Sequence, residues 1–278
     1  MRVFLCGVRG STPSPGPEFA GVGGHTSCVA LAHDGDEPRL VLDAGTGLRR
    51  LTDVLEGSPF RGTLILTHLH WDHLIGLPFF AAGDRPDASV DILVPEQDVG
   101  ARDLIARAMS PPLFPIGPEQ LRGRWTFDVY SEGSFEVDGF EVTACEIPHS
   151  AGRTMGLRVR DASGVVAYLP DHSPQTAGHG PDGVGELHDA ALDLATGADL
   201  LLHDAQYTRD ELRTKFSWGH AAADYAAHLG QAAGAARTLM FHHDPWRTDR
   251  EVHDVRRDVV DRTGVEIDVA CEGAVFDI

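Results

Sequence analysis

The 278 residues predict an α/β chain in which two sheets pack face to face beneath outer helices. Short runs rich in Val, Leu, Ile and Thr recur in both halves, with helix-periodic stretches between them. No linker-like shift of composition and no repeat of roughly 20–50 residues divides the chain, so residues 1–278 are read as a single domain. With 42% hydrophobic and 23% charged residues, there is enough apolar side chain to offset the entropy of ordering.

Arg2–Val8 opens the chain as a strand, and a glycine- and proline-rich loop follows it. Thr26–Ala32, Leu40–Leu42 and Thr63–Thr67 are further strands, bounded by Gly, Pro or Asp. Leu48–Leu55 and Val99–Met109 carry helical spacing, with Leu104, Ile105 and Ala108 on one face. Pro111, Pro112, Pro115 and Pro118 deny regular structure to Ser110–Gly123. Its Leu113, Phe114 and Ile116 must still pack, against the preceding helix, a second copy of the chain, or the rim of a site. Strand signals return at Trp125–Tyr130, Phe135–Ile147, Thr154–Arg160 and Val165–Leu169, before a Gly/Pro loop over His172–Gly185. Leu187–Ala195, His220–Ala233 and Asp249–Arg262 read as helices. Leu200–His203, Thr238–Phe241, Val265–Val269 and Ala274–Phe276 read as strands.

The chain carries 23 basic and 42 acidic residues, a net charge of −19. A field of that sign repels a long polyanion, which argues against nucleic acid and for a small anionic substrate. No run of about 18 apolar residues occurs, so no membrane span is expected, and Met1–Val8 meets Arg9 too soon for a signal peptide. Cys6, Cys28, Cys145 and Cys271 are scattered, as buried thiols of a reducing compartment are, so a cytoplasmic location is expected.

The sharpest chemical signal is Thr67-His68-Leu69-His70-Trp71-Asp72-His73, directly after the apolar run Thr63–Leu66. On extended backbone His68 and His70 share a side. Asp72 and His73 then begin a new element, read as the first turn of a helix to Phe80. Imidazole and carboxylate ligands leaving a strand end in two directions suit two neighbouring cations. More such groups follow apolar runs: Pro148-His149, Pro170-Asp171-His172 and His242-His243-Asp244.

This set resembles the metallo-β-lactamase superfamily of αββα four-layer hydrolases, and the resemblance covers nearly the whole chain. It implies His68, His70 and His149 around one metal, Asp72, His73 and His242 around a second, and Asp171 bridging them. Zinc is the first choice for both ions and manganese the alternative. His243 competes with His242; aligning Leu239–His242 on Ile65–His68 favours His242. Asp43 in Asp43-Ala44-Gly45 matches the family's Asp-x-Gly element, either orienting a ligand imidazole or capping a turn. Leu202-His203-Asp204-Ala205 looks like the His-Glu-Ala-Thr element of the transfer-RNA 3′-processing branch and its phosphodiesterase relatives. There an acid pairs with a histidine at a helix start; carried over, these are Asp204, in place of the usual Glu, and His220. Gly7–Thr12 and Gly21–Ser27 resemble glycine-rich loops bordering the site in phosphodiesterase members, with His25 replacing the usual Asn.

The resemblance implies a metal-dependent hydrolase of phosphodiesters, with Asp72, Asp204 and His220 as catalytic candidates. Arg9, Ser11 and Arg153 are the candidate substrate contacts, although either arginine also fits a structural or solvated role. The branch's basic arm has no counterpart here: Asp171 follows His149 by 22 positions, and His172–Gly185 has no Lys or Arg. A small phosphodiester, cyclic ones included, is the expected substrate, and a homo-oligomer stays open. The alternative is a lactone or thioester hydrolase using the same metals, and a non-catalytic ligand sensor ranks below it. Redox chemistry at di-iron is disfavoured, because that branch places Glu where this chain has His70.

Overall fold

The computed structural model describes residues 1–150, 152–180 and 182–278; Pro181 of the expected loop lies outside them. The first sheet contains β1 (Arg2–Gly7), β2 (Cys28–Ala32), β3 (Leu40–Leu42), β4 (Arg61–Ile65), β5 (Ser89–Pro95) and β6 (Arg124–Tyr130). These strands pair in sequence order, and β14 (Val275–Asp277) adds to the edge at β1. The second sheet runs β7 (Gly133–Val137), β8 (Phe140–Glu146), β9 (Met155–Arg160), β10 (Val165–Leu169), β11 (Leu200–Asp204), β12 (Thr238–Phe241) and β13 (Asp268–Val269).

The two-residue period of the strands sorts side chains into layers. Val29 and Leu31 of β2 face inward and meet Phe140, Val159, Tyr168 and Leu202 of the other sheet. Cys28 and Ala30 face outward, onto the Leu48–Leu51 face of α1 (Leu48–Val54). α2 (Ala101–Ala108) covers the same outer face through Ile105. On the other side Ala167, Leu169 and Leu201 pack under α3 (Asp189–Ala195) and, beyond α4 (Arg209–Lys215), α5 (Ala223–Ala233). α6 (Asp249–Thr263) adds Val255 and Val259 beside Met240. Each fully buried Val or Leu contributes roughly 1.5–3 kcal/mol, so the inter-sheet layer is the main source of cohesion. Among the described residues no helix is long and apolar enough to cross a membrane.

Strands β3 to β6 run parallel, as do β10 to β13. Parallel strands end on one side, so the residues after β3, β4, β10, β11 and β12 gather there. Asp43, His68, Asp171 and His242 follow these ends, and Asp204 closes β11.

Four elements depart from the sequence expectation. Residues 72–80 form two single turns, Trp71–His73 and Leu77–Phe79, not a helix; the backbone leaves the helical region at Leu74 (φ −138°), and Pro78 has no N–H to continue one. Phe135–Ile147 is a hairpin: Asp138 (φ 50°) and Gly139 (φ 84°) turn the chain between β7 and β8. Strand β5 was not anticipated, although Ser89–Pro95 alternates partly and fully buried residues. Helix α4 was also missed, although Thr208 and Glu211 form a reciprocal capping box.

His33, just after β2, ties the sheets together. Its Nδ1 lies 2.9 Å from Asp161 Oδ2 and its Nε2 3.0 Å from the Asp138 carbonyl, while its ring stacks on Phe140. Burial opposes its charge, but Asp161 and the carbonyl outweigh it and raise the imidazole pKa. Burial also opposes the Asp161 charge, and His33 with two backbone amides holds that carboxyl below its usual range. The raised His33 pKa stabilises fully below about pH 6.5, and this is lost as pH rises through the folded value. The Asp161 contribution holds above about pH 4 and is lost as pH falls through its lowered value. His33→Ala is therefore expected to lower the melting temperature more at pH 5.5 than at pH 8.5, measured by thermal denaturation.

Candidate metal centre

The strand-end residues converge. Ligand atoms of His68, His70 and His149 form one group, those of Asp72, His73 and His242 another, and Asp171 joins His68 and His73 in a third. His70 Nδ1 and His149 Nε2 are 3.2 Å apart, and His73 Nε2 and His242 Nε2 are 3.3 Å apart. Asp171 Oδ2 lies 2.9 Å from His73 Nε2 and 3.3 Å from His242 Nε2, while Oδ1 is 3.5 Å from His149 Nε2. Asp171 therefore stands between the two groups.

Neighbours aim His73 and His149. Asp43 has φ 60°, a backbone an aspartate tolerates, and its carboxylate is fully buried. Its Oδ1 accepts from the Thr67 amide at 2.7 Å, latching the end of β4. Its Oδ2 accepts from His73 Nδ1 at 2.8 Å and from the Tyr168 hydroxyl at 2.9 Å. His149 Nδ1 donates to the Gly219 carbonyl at 2.6 Å, which leaves Nε2 bare of hydrogen in the neutral ring. Asp72 Oδ2 accepts from the Ser11 amide at 2.7 Å. His243 turns away to the Ala270 carbonyl, and burial pushes its pKa down to about 3.

The donor set fits cations. His68 Nε2 and Asp171 Oδ2 are buried with no hydrogen-bond partner; His73 Nε2 is near Asp171 Oδ2 but not aligned as a donor. Such buried orphans are costly unless something binds them. Burial and the neighbouring His73 hold His68 well below the ordinary imidazole pKa, and burial also lowers His70 and His149. Neutral imidazole is the ligating form. Burial disfavours charge on His73, yet Asp171, Asp72 and Asp43 prevail and raise its pKa well above normal. Burial likewise opposes ionisation of Asp72 and Asp171; facing imidazoles outweigh it and hold both well below the carboxylate range. The proton that these acids hold on His73 is one a cation would displace. For His242, whose Nδ1 lies 3.2 Å from the Gln206 side-chain amide, ligation through Nε2 requires that amide to present its oxygen.

His220 stands beside the cluster. Its Nδ1 donates to Asp204 Oδ2 at 2.9 Å and lies 3.6 Å from Asp171 Oδ1. Burial opposes its protonation, but Asp204 dominates and raises its pKa. A cavity of about 430 Å³ opens here, lined by Ser11, His70, Trp71, Asp72, Asp171 and His220 among others.

The two arginines expected at the substrate are elsewhere. Arg9 is fully buried and bonds the carbonyls of Gly23, Asp244 and Arg247 and the Asp249 carboxylate, so it ties the glycine loops to the segment after β12. Arg153 pairs with Glu146 at 2.9 Å, outside the cavity lining. His25 is held by Glu272 at 2.8 Å. Gln206, absent from the sequence expectation, bonds both Ser11 Oγ and His242 Nδ1, each at 3.2 Å. Its place directly after Asp204-Ala205 was the available signal.

Gly10 makes this approach possible. A Cβ there would sit 2.4 Å from His242 Nδ1 and 2.5 Å from Gln206 Nε2. Gly10→Ala is expected to weaken metal binding about 10–100-fold, the usual cost of disturbing a ligand's support, while the protein stays folded; competition with a chromogenic chelator measures it.

The chain belongs to the beta-lactamase superfamily: the profile of the Beta-lactamase superfamily domain matches residues 38–243. It is a metal-dependent hydrolase and fits the phosphodiesterase and transfer-RNA 3′-processing branch. Ribonuclease Z of Natronomonas pharaonis is 27% identical over an alignment covering 100% of this chain and 98% of that protein. The metallo-beta-lactamase fold protein YhfI from Bacillus subtilis superposes with TM-score 0.74 at 18% identity, covering 99% of each chain. The short form of human tRNase Z superposes with TM-score 0.66 at 24% identity, covering 100% of this chain and 99% of that one. These relatives overturn the expectation that nucleic acid is disfavoured. Net charge sums the whole surface, whereas a phosphodiester meets only the local field of its site.

Proposed function

We propose that the protein hydrolyses phosphodiester bonds in RNA at a centre of two divalent cations, zinc for preference. The observation that carries this reading is the Asp204–His220 pair at 2.9 Å, beside the ligand cluster and lining its cavity. A lactone or thioester hydrolase has little need of such an acid, since its leaving group is expelled easily.

In this reading His68, His70 and His149 would hold one cation and Asp72, His73 and His242 the other, with Asp171 placed to serve both. When bound, the two ions supply Lewis acidity towards a phosphoryl oxygen and make water nucleophilic at neutral pH. The protein's part is orientation and proton transfer. Asp43 and the Gly219 carbonyl fix the tautomers of His73 and His149. Asp204 fixes His220 by its Nδ1–H and favours the imidazolium. His220 then gives the proton on its other ring nitrogen, Nε2, to the departing ribose oxygen. The Ser11 amide, bonded to Asp72, sets the loop wall of the cavity.

The test is incubation of zinc- or manganese-loaded protein with a 3′-extended transfer RNA, beside lactone and thioester substrates. RNA cleavage that disappears with chelator is expected. Turnover of a lactone or thioester with every RNA left intact would overturn the reading.

A further inference from the structure

A second, apolar groove adjoins the catalytic cavity. It holds about 360 Å³, lies between α2, the turns at residues 71–79 and the proline-rich segment, and is lined only by apolar residues. Trp71, Phe79 and Leu113 on it are 71%, 60% and 73% exposed. Apolar side chains left exposed around a groove make it a candidate ligand site. The wall is ordered: Phe79 and Phe114 meet edge to face with ring centroids 5.7 Å apart. Trp71 lines both the groove and the catalytic cavity, between His70 and Asp72 of the ligand cluster.

We propose that this groove is a nucleobase subsite, in which the base next to the scissile phosphate stacks on Trp71 and lodges against Phe79 and Phe114. The inference rests on the phosphodiesterase reading above. A substrate whose phosphate sits at the cluster has its neighbouring group beside the indole, because Trp71 adjoins His70 and Asp72 directly in the chain. A nucleobase is flat, uncharged and offers a π-face, which matches an aromatic, uncharged groove. With no cation lining it, the groove rejects the phosphate and so keeps phosphate and base in register. The Trp71 indole N–H is the one side-chain hydrogen-bonding group lining it, so base identity matters little. Stacking needs no cation, so it can contribute to RNA binding by a chain of net charge −19. The proline-rich segment then serves as a stiff wall that is already ordered before the base enters.

The experiment compares adenosine 5′-monophosphate with ribose 5-phosphate, which lacks the base, by calorimetric titration of the metal-loaded protein. The nucleotide is expected to bind about 5- to 100-fold more tightly, the usual worth of one stacked base. Phe114→Ala should remove most of that preference, and so should Leu113→Asp, at a position exposed enough to leave folding intact. Equal binding of the two probes, or a preference that survives both substitutions, overturns the subsite. A wild-type dimer that Phe114→Ala dissociates also overturns it, because the groove then seats a second copy. Base preference without RNA cleavage would leave the subsite standing and sink the hydrolytic reading; RNA cleavage without base preference would do the reverse.

Discussion

Asp171→Ala is expected to cost more than about 10³-fold in kcat/KM and to lower the bound metal together with activity. Lewis-acid stabilisation is worth several kcal/mol, and each 1.4 kcal/mol is a factor of ten. The reason lies in its position. Asp171 stands within 3.5 Å of His73, His149 and His242, and no other carboxylate among the described residues reaches both ligand groups. Removing it leaves imidazoles facing one another in a buried space, with less negative charge to balance two cations. The measurement is metal content by elemental analysis, paired with kinetics on the same preparation. Undiminished metal and activity would remove Asp171 from the bridging role.

His220→Ala is expected to keep the metal content and to reduce turnover on RNA by roughly 10²–10⁴, the usual worth of a positioned acid. A diester with a nitrophenolate leaving group should lose far less, because that group departs without a proton. Asp204→Asn should resemble His220→Ala in direction, since Asp204 orients the imidazole and favours its charge. Kinetics on both kinds of substrate decide the matter. Equal losses on the two would assign His220 to binding or to structure.

The convergence of these side chains was legible in the sequence because the first four are nearly contiguous, from His68 to His73, and because His149, Asp171 and His242 each end an apolar run. Strand ends are where parallel topology gathers side chains, so linear pattern and geometry agree there. The αββα layering was legible for the same reason, since β-type runs and helical stretches alternate through the second half. The supporting residues were not legible. Tyr168 reaches Asp43 across 125 positions, and Gln206 reaches Ser11 across 195; such partners exist only once the sheets are packed. Arg9 looked like an anion contact because a sequence does not reveal burial, and the structure commits its guanidinium to three carbonyls and a carboxylate. The hairpin within Phe135–Ile147 carried its own signal, the Asp138-Gly139 turn, which the apolar flanks obscured. The charge argument failed because it weighed the whole surface, whereas a phosphodiester meets only the local field of its site.

The central claim is that this cluster works as a pair of cations serving phosphodiester hydrolysis. Its most direct test is a titration of chelator-stripped protein with zinc or manganese, following cleavage of a 3′-extended transfer RNA after each addition. The account predicts no cleavage without metal and a rise that levels off at two equivalents per chain. Full cleavage by the stripped protein, or a plateau at one equivalent, would contradict it.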